Sequence, residues 1–120
     1  MPVATTAGTT FDAFRAALDA KDYEAAESLY AEDATFVSYS ERNRPSGAET
    51  LRGPKAIVDG FRAAPPDLEH ELLDEVIGED RFAFTLRCVY PTGELVMATS
   101  ICDVRDGLIT RQTGVETWDE

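Results

Sequence analysis

The chain predicts an α+β domain in which helices cover one face of an antiparallel sheet. Two observations carry that expectation. Apolar residues in the first half recur at helical spacing, while those in the second half alternate as strand residues do. The second half is also cut by short turn signals, the clearest being Asp106-Gly107, a pair that tolerates the positive φ angles of a tight hairpin. With 120 residues, 43% of them hydrophobic, the chain suits one domain with a core of its own.

The elements follow in order. Residues 1–9 read as a flexible tail, and the domain as 10–120. Thr10 is placed as the N-cap of a first helix running to about Ala20, with Phe11, Phe14, Ala17 and Leu18 on one stripe. Asp22 caps a second short helix whose inner side carries Tyr23, Ala26, Leu29 and Tyr30. Ala34 to Ser40 reads as a strand, and the polar stretch from Ser40 to Gly53 as a loop. Pro54 suits the first turn of a third helix with Ile57, Val58 and Phe61 inward, stopped by Pro65-Pro66. Four strands follow at about 68–77, 81–90, 95–105 and 108–118.

Hairpin arithmetic then assigns faces. Pairing Tyr90 with Leu95 across residues 91–94 puts Cys88 opposite Met97, Leu86 opposite Thr99, Phe84 opposite Ile101 and Phe82 opposite Asp103. Pairing Arg105 with Leu108 adds Gln112, Glu116 and Trp118 to the same face. That inner face is half apolar and half polar. Burying its polar groups unpaired costs about 1–3 kcal/mol each, so a cavity holding water or ligand explains it better than a plain core. The outer face is read as Ala83, Thr85, Val89, Val96, Ala98, Ser100, Cys102 and Val104, a contiguous apolar patch that suggests a homodimer. Cys88 and Cys102 point to opposite faces, which disfavours a disulfide. For the first of the four strands, a three-residue turn at 78–80 places Leu68, His70, Leu72, Asp74 and Val76 inward, with His70 opposite Cys88. A two-residue turn would bury three glutamates instead, and the first alternative is preferred.

Composition excludes several partners. The 23 acidic and 11 basic residues give a formal net charge of −12. Nucleic acid and anionic membrane surfaces both need clustered Lys and Arg, so neither is expected. No apolar run approaches the roughly 20 residues of a membrane span, and no signal sequence is read at the N-terminus, so a cytoplasmic protein is the expectation. One histidine and two cysteines on opposite faces do not make a zinc site, and no glycine-rich phosphate loop is present, so neither metal nor cofactor is expected.

Several segments, taken together and in order, carry a resemblance. They are Phe14-Arg15-Ala16-Ala17-Leu18 with Asp22, Leu29-Tyr30-Ala31-Glu32-Asp33-Ala34-Thr35-Phe36, Leu51-Arg52-Gly53-Pro54-Lys55-Ala56-Ile57, Gly78-Glu79-Asp80-Arg81-Phe82-Ala83-Phe84, and Val104-Arg105-Asp106-Gly107-Leu108-Ile109-Thr110-Arg111. Over about residues 10–119 the chain resembles the nuclear transport factor 2-like superfamily, and within it the SnoaL-like and ketosteroid-isomerase-like proteins. The resemblance implies a cone: a curved antiparallel sheet closed by three N-terminal helices around a pocket. It implies either cofactor-free isomerase, cyclase, hydratase or hydrolase chemistry, or plain ligand binding. The tyrosine, base and late-strand acid of the ketosteroid isomerases fall on Phe14, Ser38 and Ile101, so that activity in its usual form is not expected.

The candidate chemistry therefore rests on few groups. His70 is the one histidine, the side-chain type suited to proton exchange near neutral pH, so it can serve as acid or base, or be a half-buried structural side chain. Asp103 and Glu116 are placed as a base and an orienting carboxylate, with Asp103 alternatively at the rim against Arg81. The ligand-lining set comprises Phe14, Tyr30, Ser38, Phe61, Leu86, Cys88, Tyr90, Met97, Thr99, Ile101, Gln112 and Trp118. The expected ligand is a small hydrophobic molecule. A non-catalytic binding protein is the alternative.

Overall fold

Helix α1 covers Ala7–Ala20 and presents Phe11, Phe14 and Ala17 inward at helical spacing, all buried. The computed structural model describes residues 7–119. Residues 1–6 of the expected tail lie outside them, and Ala7 to Thr9 belong to α1. Thr10 is thus no N-cap. It is buried inside the helix, and its hydroxyl donates to the Gly107 carbonyl at 3.0 Å, tying α1 to the last hairpin. Asp22 does cap α2 (Tyr23–Glu27), accepting from the Ala25 amide at 3.1 Å. Pro54 opens α3 (Pro54–Arg62), which buries Ile57 and Val58.

Six strands form one curved sheet: β1 (Tyr30–Tyr39), β2 (Leu51–Arg52), β3 (Glu69–Ile77), β4 (Arg81–Val89), β5 (Leu95–Arg105) and β6 (Leu108–Trp118). Their order is β2-β1-β6-β5-β4-β3. All neighbours are antiparallel except β1 and β6, which run parallel, a departure from the wholly antiparallel expectation. β1 begins three residues after α2 and is four residues longer at its start than expected. The three helices lie against the concave face, and the sheet stays open at its β2 and β3 edges. Among the described residues no helix is long and apolar enough to cross a membrane.

The core sits where α1 meets β4. Phe11 packs edge-on to Phe82 with ring centroids 5.1 Å apart, and Phe14, Phe82 and Phe84 stand within 6.1 Å of one another. These four rings fill one end of the concave face and leave the other end hollow. Phe14 is therefore core, not pocket lining.

The register corrects one strand. Val89, not Tyr90, pairs with Leu95, so Cys88 faces Val96, Leu86 faces Ala98, Phe84 faces Ser100 and Phe82 faces Cys102. Tyr90 lies outside the strand in a wider turn, its amide donating to Glu94 and its carbonyl accepting from Gly93. A one-residue slip reverses every side chain. Val96, Ala98, Ser100, Cys102 and Val104 are the inner residues of β5, while Met97, Thr99, Ile101 and Asp103 point outward. A second irregularity follows: Val104 pairs with Ile109, but Asp103 pairs with Arg111, leaving Thr110 as an extra residue. That bulge restores β6 to the expected facing, so Gln112, Gly114, Glu116 and Trp118 share the face of Val96 to Cys102.

On β3 His70 stands opposite Cys88 as expected, but not through a three-residue turn: next to the turn Ile77 pairs with Phe82, the register of the two-residue alternative. A bulge after Leu73, with Asp74 at φ 52°, shifts the pairing by one and brings His70 to Cys88. Val76 consequently pairs with outward-facing Ala83 and is 69% exposed, and Asp74 is exposed as well.

Candidate functional site

The hollow end of the concave face is a pocket of about 270 Å³, the liquid volume of roughly nine waters at ~30 Å³ each. Ordered rows of facing residues line it. Deepest lie Phe36 and Gln112, which are partners across β1 and β6. Next come Phe84, Ser100, Gly114 and Ser38, consecutive across four strands. Leu86, Ala98 and Glu116 form a third row, and His70 and Cys88 stand nearest the mouth. Helices and their connections close the roof with Leu18, Lys21, Tyr23, Phe61, Pro65 and Leu68.

Of the expected lining residues, Ser38, Phe61, Leu86, Cys88 and Gln112 border this space, as do His70 and Glu116. Met97, Thr99, Ile101 and Asp103 do not, because β5 is reversed. Asp103 instead pairs with Arg81 on the outer face, accepting from Nε at 2.9 Å and Nη2 at 2.8 Å. Tyr30 is core, 4% exposed, yet its hydroxyl reaches the pocket floor and donates to Gln112 Oε1 at 2.5 Å. Tyr90 and Trp118, also expected to line the pocket, do not border it; they pack on each other at 5.3 Å, with the Arg42 guanidinium over the Trp118 ring at 5.4 Å. Trp118 Nε1 donates to Glu116 Oε1 at 2.9 Å, which holds that carboxylate on the wall.

His70 has a partner that the sequence did not reveal. Its Nε2 lies 3.1 Å from Asp19 Oδ1 on α1, with the histidine side chain 16% exposed and the aspartate 59%. Two residue pairs join these elements, since Arg15, one helical turn before Asp19, also pairs with Glu75 of β3. Lys21 was missed too. It follows α1 at φ 54°, and its ammonium group binds the carbonyls of Pro66 and Leu68, fixing the segment that roofs the pocket.

Burial sets the state of the remaining titratable groups. Desolvation, with a smaller contribution from Glu116, pushes the Cys88 thiol above its ordinary range. Burial does the same more strongly to Cys102, which is fully enclosed, and to the Tyr30 phenol. Cys88 is thus protonated at neutral pH and a poor nucleophile. Among the described residues no group of three His, Cys, Asp or Glu side chains is placed to hold a metal ion.

The arrangement is a mostly apolar cup with a donor–acceptor set on its floor, a carboxylate on one wall and an Asp-held imidazole near the mouth. Comparison with known proteins bears on the cup. A protein of Mesorhizobium loti, described as NTF2-like and of unknown function, superposes with a TM-score of 0.80 at 20% identity, covering 92% of this chain and 89% of that one. A protein from Sphaerobacter thermophilus superposes with a TM-score of 0.74 at 21% identity, over 95% of this chain and 98% of that one. A computationally designed 17-OHP binder has a TM-score of 0.65 at 20% identity, over 92% and 95%. At these identities the likeness is one of fold. No curated protein matches. Residues 11–112 match the SnoaL-like domain, a span that runs from α1 through the pocket floor at Gln112, and the chain belongs to that family.

Proposed function

We propose that the pocket takes up a small, mostly apolar molecule and that His70 exchanges a proton with it, in an isomerisation, cyclisation or hydration. The observation that carries this reading is that His70, on the pocket wall, is paired with Asp19 of α1. A carboxylate accepts, so Nε2 carries the proton and Nδ1 is left with a lone pair. Asp19 then does two things: it fixes the tautomer, and it stabilises the imidazolium formed when Nδ1 takes a proton. Glu116 supplies a carboxylate on the wall. Asp103 has no part in this version, since it lies on the other face of the sheet.

Because the chain has one histidine, the tautomer can be read directly. Nitrogen NMR of the imidazole is expected to show the Nε2–H form in the neutral state, and Asp19→Asn to reduce that preference. A dominant Nδ1–H form in the parent protein contradicts the proposal. Once a thermal-shift screen of lipophilic compounds supplies a substrate, His70→Gln should lower turnover about 10²–10⁴-fold while leaving its binding within a few-fold. Binding without turnover in the parent protein favours the alternative, a ligand carrier. The predominantly apolar wall supports that alternative as well.

We also infer that a second copy covers the outer sheet face. The helices cover only the concave side, and on the outer side Ile101 is 46% and Val115 59% exposed on neighbouring strands. The patch differs from the expected one in β5, where the outward residues are Met97, Thr99 and Ile101 in place of Val96 to Val104. Sedimentation velocity should find a dimer, and Val115→Glu should yield a folded monomer. A monomeric parent at tens of micromolar refutes the pairing.

A further inference from the structure

The floor and wall of the pocket carry more chemical information than its apolar lining. Gln112 is 2% exposed, and two facts fix its amide. Burial keeps the Tyr30 phenol protonated, and its O–H donates to Oε1. The NH2 group therefore faces the other way, where its one partner among the described residues is Ser100 Oγ at 3.5 Å, the outer limit of a hydrogen bond. A buried donor is thus aimed at the pocket floor with little to satisfy it. The Tyr30 hydrogen bond polarises the amide and makes its N–H the better donor.

Glu116 lies four residues further along the same face of β6, about 13 Å of extended strand at ~3.3 Å per residue. One of its oxygens is taken by Trp118, and the other has no partner among the described residues. Between them stands Gly114. A Cβ there would come within 3.2 Å of Ser100 Oγ and 3.6 Å of the Phe36 ring, both of which line the pocket. The glycine keeps the strip between donor and acceptor open.

Midway along the strip the Ser100 and Ser38 hydroxyls flank Gly114, and the Phe84, Leu86 and Ala98 side chains give the rest of that stretch an apolar surface. We propose that Gln112 and Glu116 are the two polar poles of the pocket, and that its ligand is bifunctional: a carbonyl-type oxygen at the buried end, a hydroxyl or amine donor at the mouth, and an apolar body between. This rests on the reading that the pocket takes up a small molecule, and it specifies which.

Four naphthalenes test it by calorimetry or fluorescence: 6-acetyl-2-naphthol, 2-acetylnaphthalene, 2-naphthol and naphthalene. The hydroxy-ketone should bind tightest, with removal of either group weakening binding about five- to tenfold. Gln112→Leu, made together with Tyr30→Phe so that no buried partner is orphaned, should abolish the acetyl preference and leave the hydroxyl preference. Glu116→Gln should weaken the hydroxyl preference alone. Equal binding of all four compounds overturns the two-pole inference and leaves the pocket reading intact. Preferences that survive both substitutions overturn it too. No binding of any of them to the folded parent protein overturns the pocket reading, and the poles with it.

Discussion

Phe82→Ala should cost about 3–5 kcal/mol of stability, the range for removing a buried phenylalanine. The side chain is fully buried and meets three other rings: Phe11 at 5.1 Å, Phe14 at 5.8 Å and Phe84 at 6.1 Å. Each aromatic pair adds about 0.5–1.5 kcal/mol beyond area burial. The site also collapses poorly. β4 is held between β3 and β5, and α1 is held by the Thr10–Gly107 contact near its start and the Arg15–Glu75 pair at its middle, so neither wall closes freely on the void. A domain of this size has about 5–15 kcal/mol in all, so the variant is expected to lose much of its folded population on mild heating. Val76→Ala, at a 69% exposed position on the β3 bulge, should change stability by no more than about 0.5 kcal/mol. Urea unfolding of the two variants measures the contrast. Equal midpoints would show that the ring cluster is not the centre of the core.

That cluster was the most legible part of the sequence. Phe11 and Phe14 at helical spacing, and Phe82 and Phe84 at strand spacing, declare their faces without help from the rest of the chain. The Asp106-Gly107 turn was equally plain, and both residues adopt positive φ, 53° and 80°. β5 was not legible. From Leu95 to Val104 both of its faces carry apolar residues, so alternation gave no vote and the register rested on one assumed turn length. The turn is a residue longer at its β4 end, and the strand reversed. The structure supplies the reason its small residues face inward. The four phenylalanines and the pocket occupy the concave side, leaving room for Ala98, Ser100 and Cys102 but not for Met97 and Ile101. The bulge at Thr110 then offset the first error, which is why Gln112 and Glu116 were placed on the correct face by two slips that cancel.

The site was legible strand by strand and not across layers. His70, Glu116 and Gln112 follow from pairing within the sheet. Asp19 and Lys21 depend on how α1 lies over the sheet, and a single sequence carries no signal for a helix–strand distance. Asp19 also sits beside the apolar stripe of α1 on an exposed side, where a carboxylate normally does no more than solubilise. Tyr30 was assigned to the pocket as an apolar ring with a polar tip, whereas the structure buries the ring in the core and brings only the hydroxyl to Gln112 at the floor.

The Tyr30–Gln112 bond should reveal itself as strongly non-additive energetics. Tyr30→Phe removes one oxygen and leaves Gln112 Oε1 without its donor in a place that water reaches poorly. Such an orphaned group costs about 1–3 kcal/mol. Gln112→Leu removes the acceptor and strands the Tyr30 hydroxyl, 4% exposed, at a similar cost. Made together, the two changes leave two apolar groups of nearly the original shape, with neither penalty. The double variant should therefore be more stable than either single variant, and less destabilised than the sum by about 2 kcal/mol or more. Effects that add to within about 0.5 kcal/mol would mean that the two groups do not depend on each other. The sign of the coupling also bears on the pocket. A polar pair that could be replaced by an apolar one at little cost to folding contributes little net stability. Its place on the floor is then explained by what it offers a ligand, an aimed amide donor at the bottom of an otherwise apolar cup.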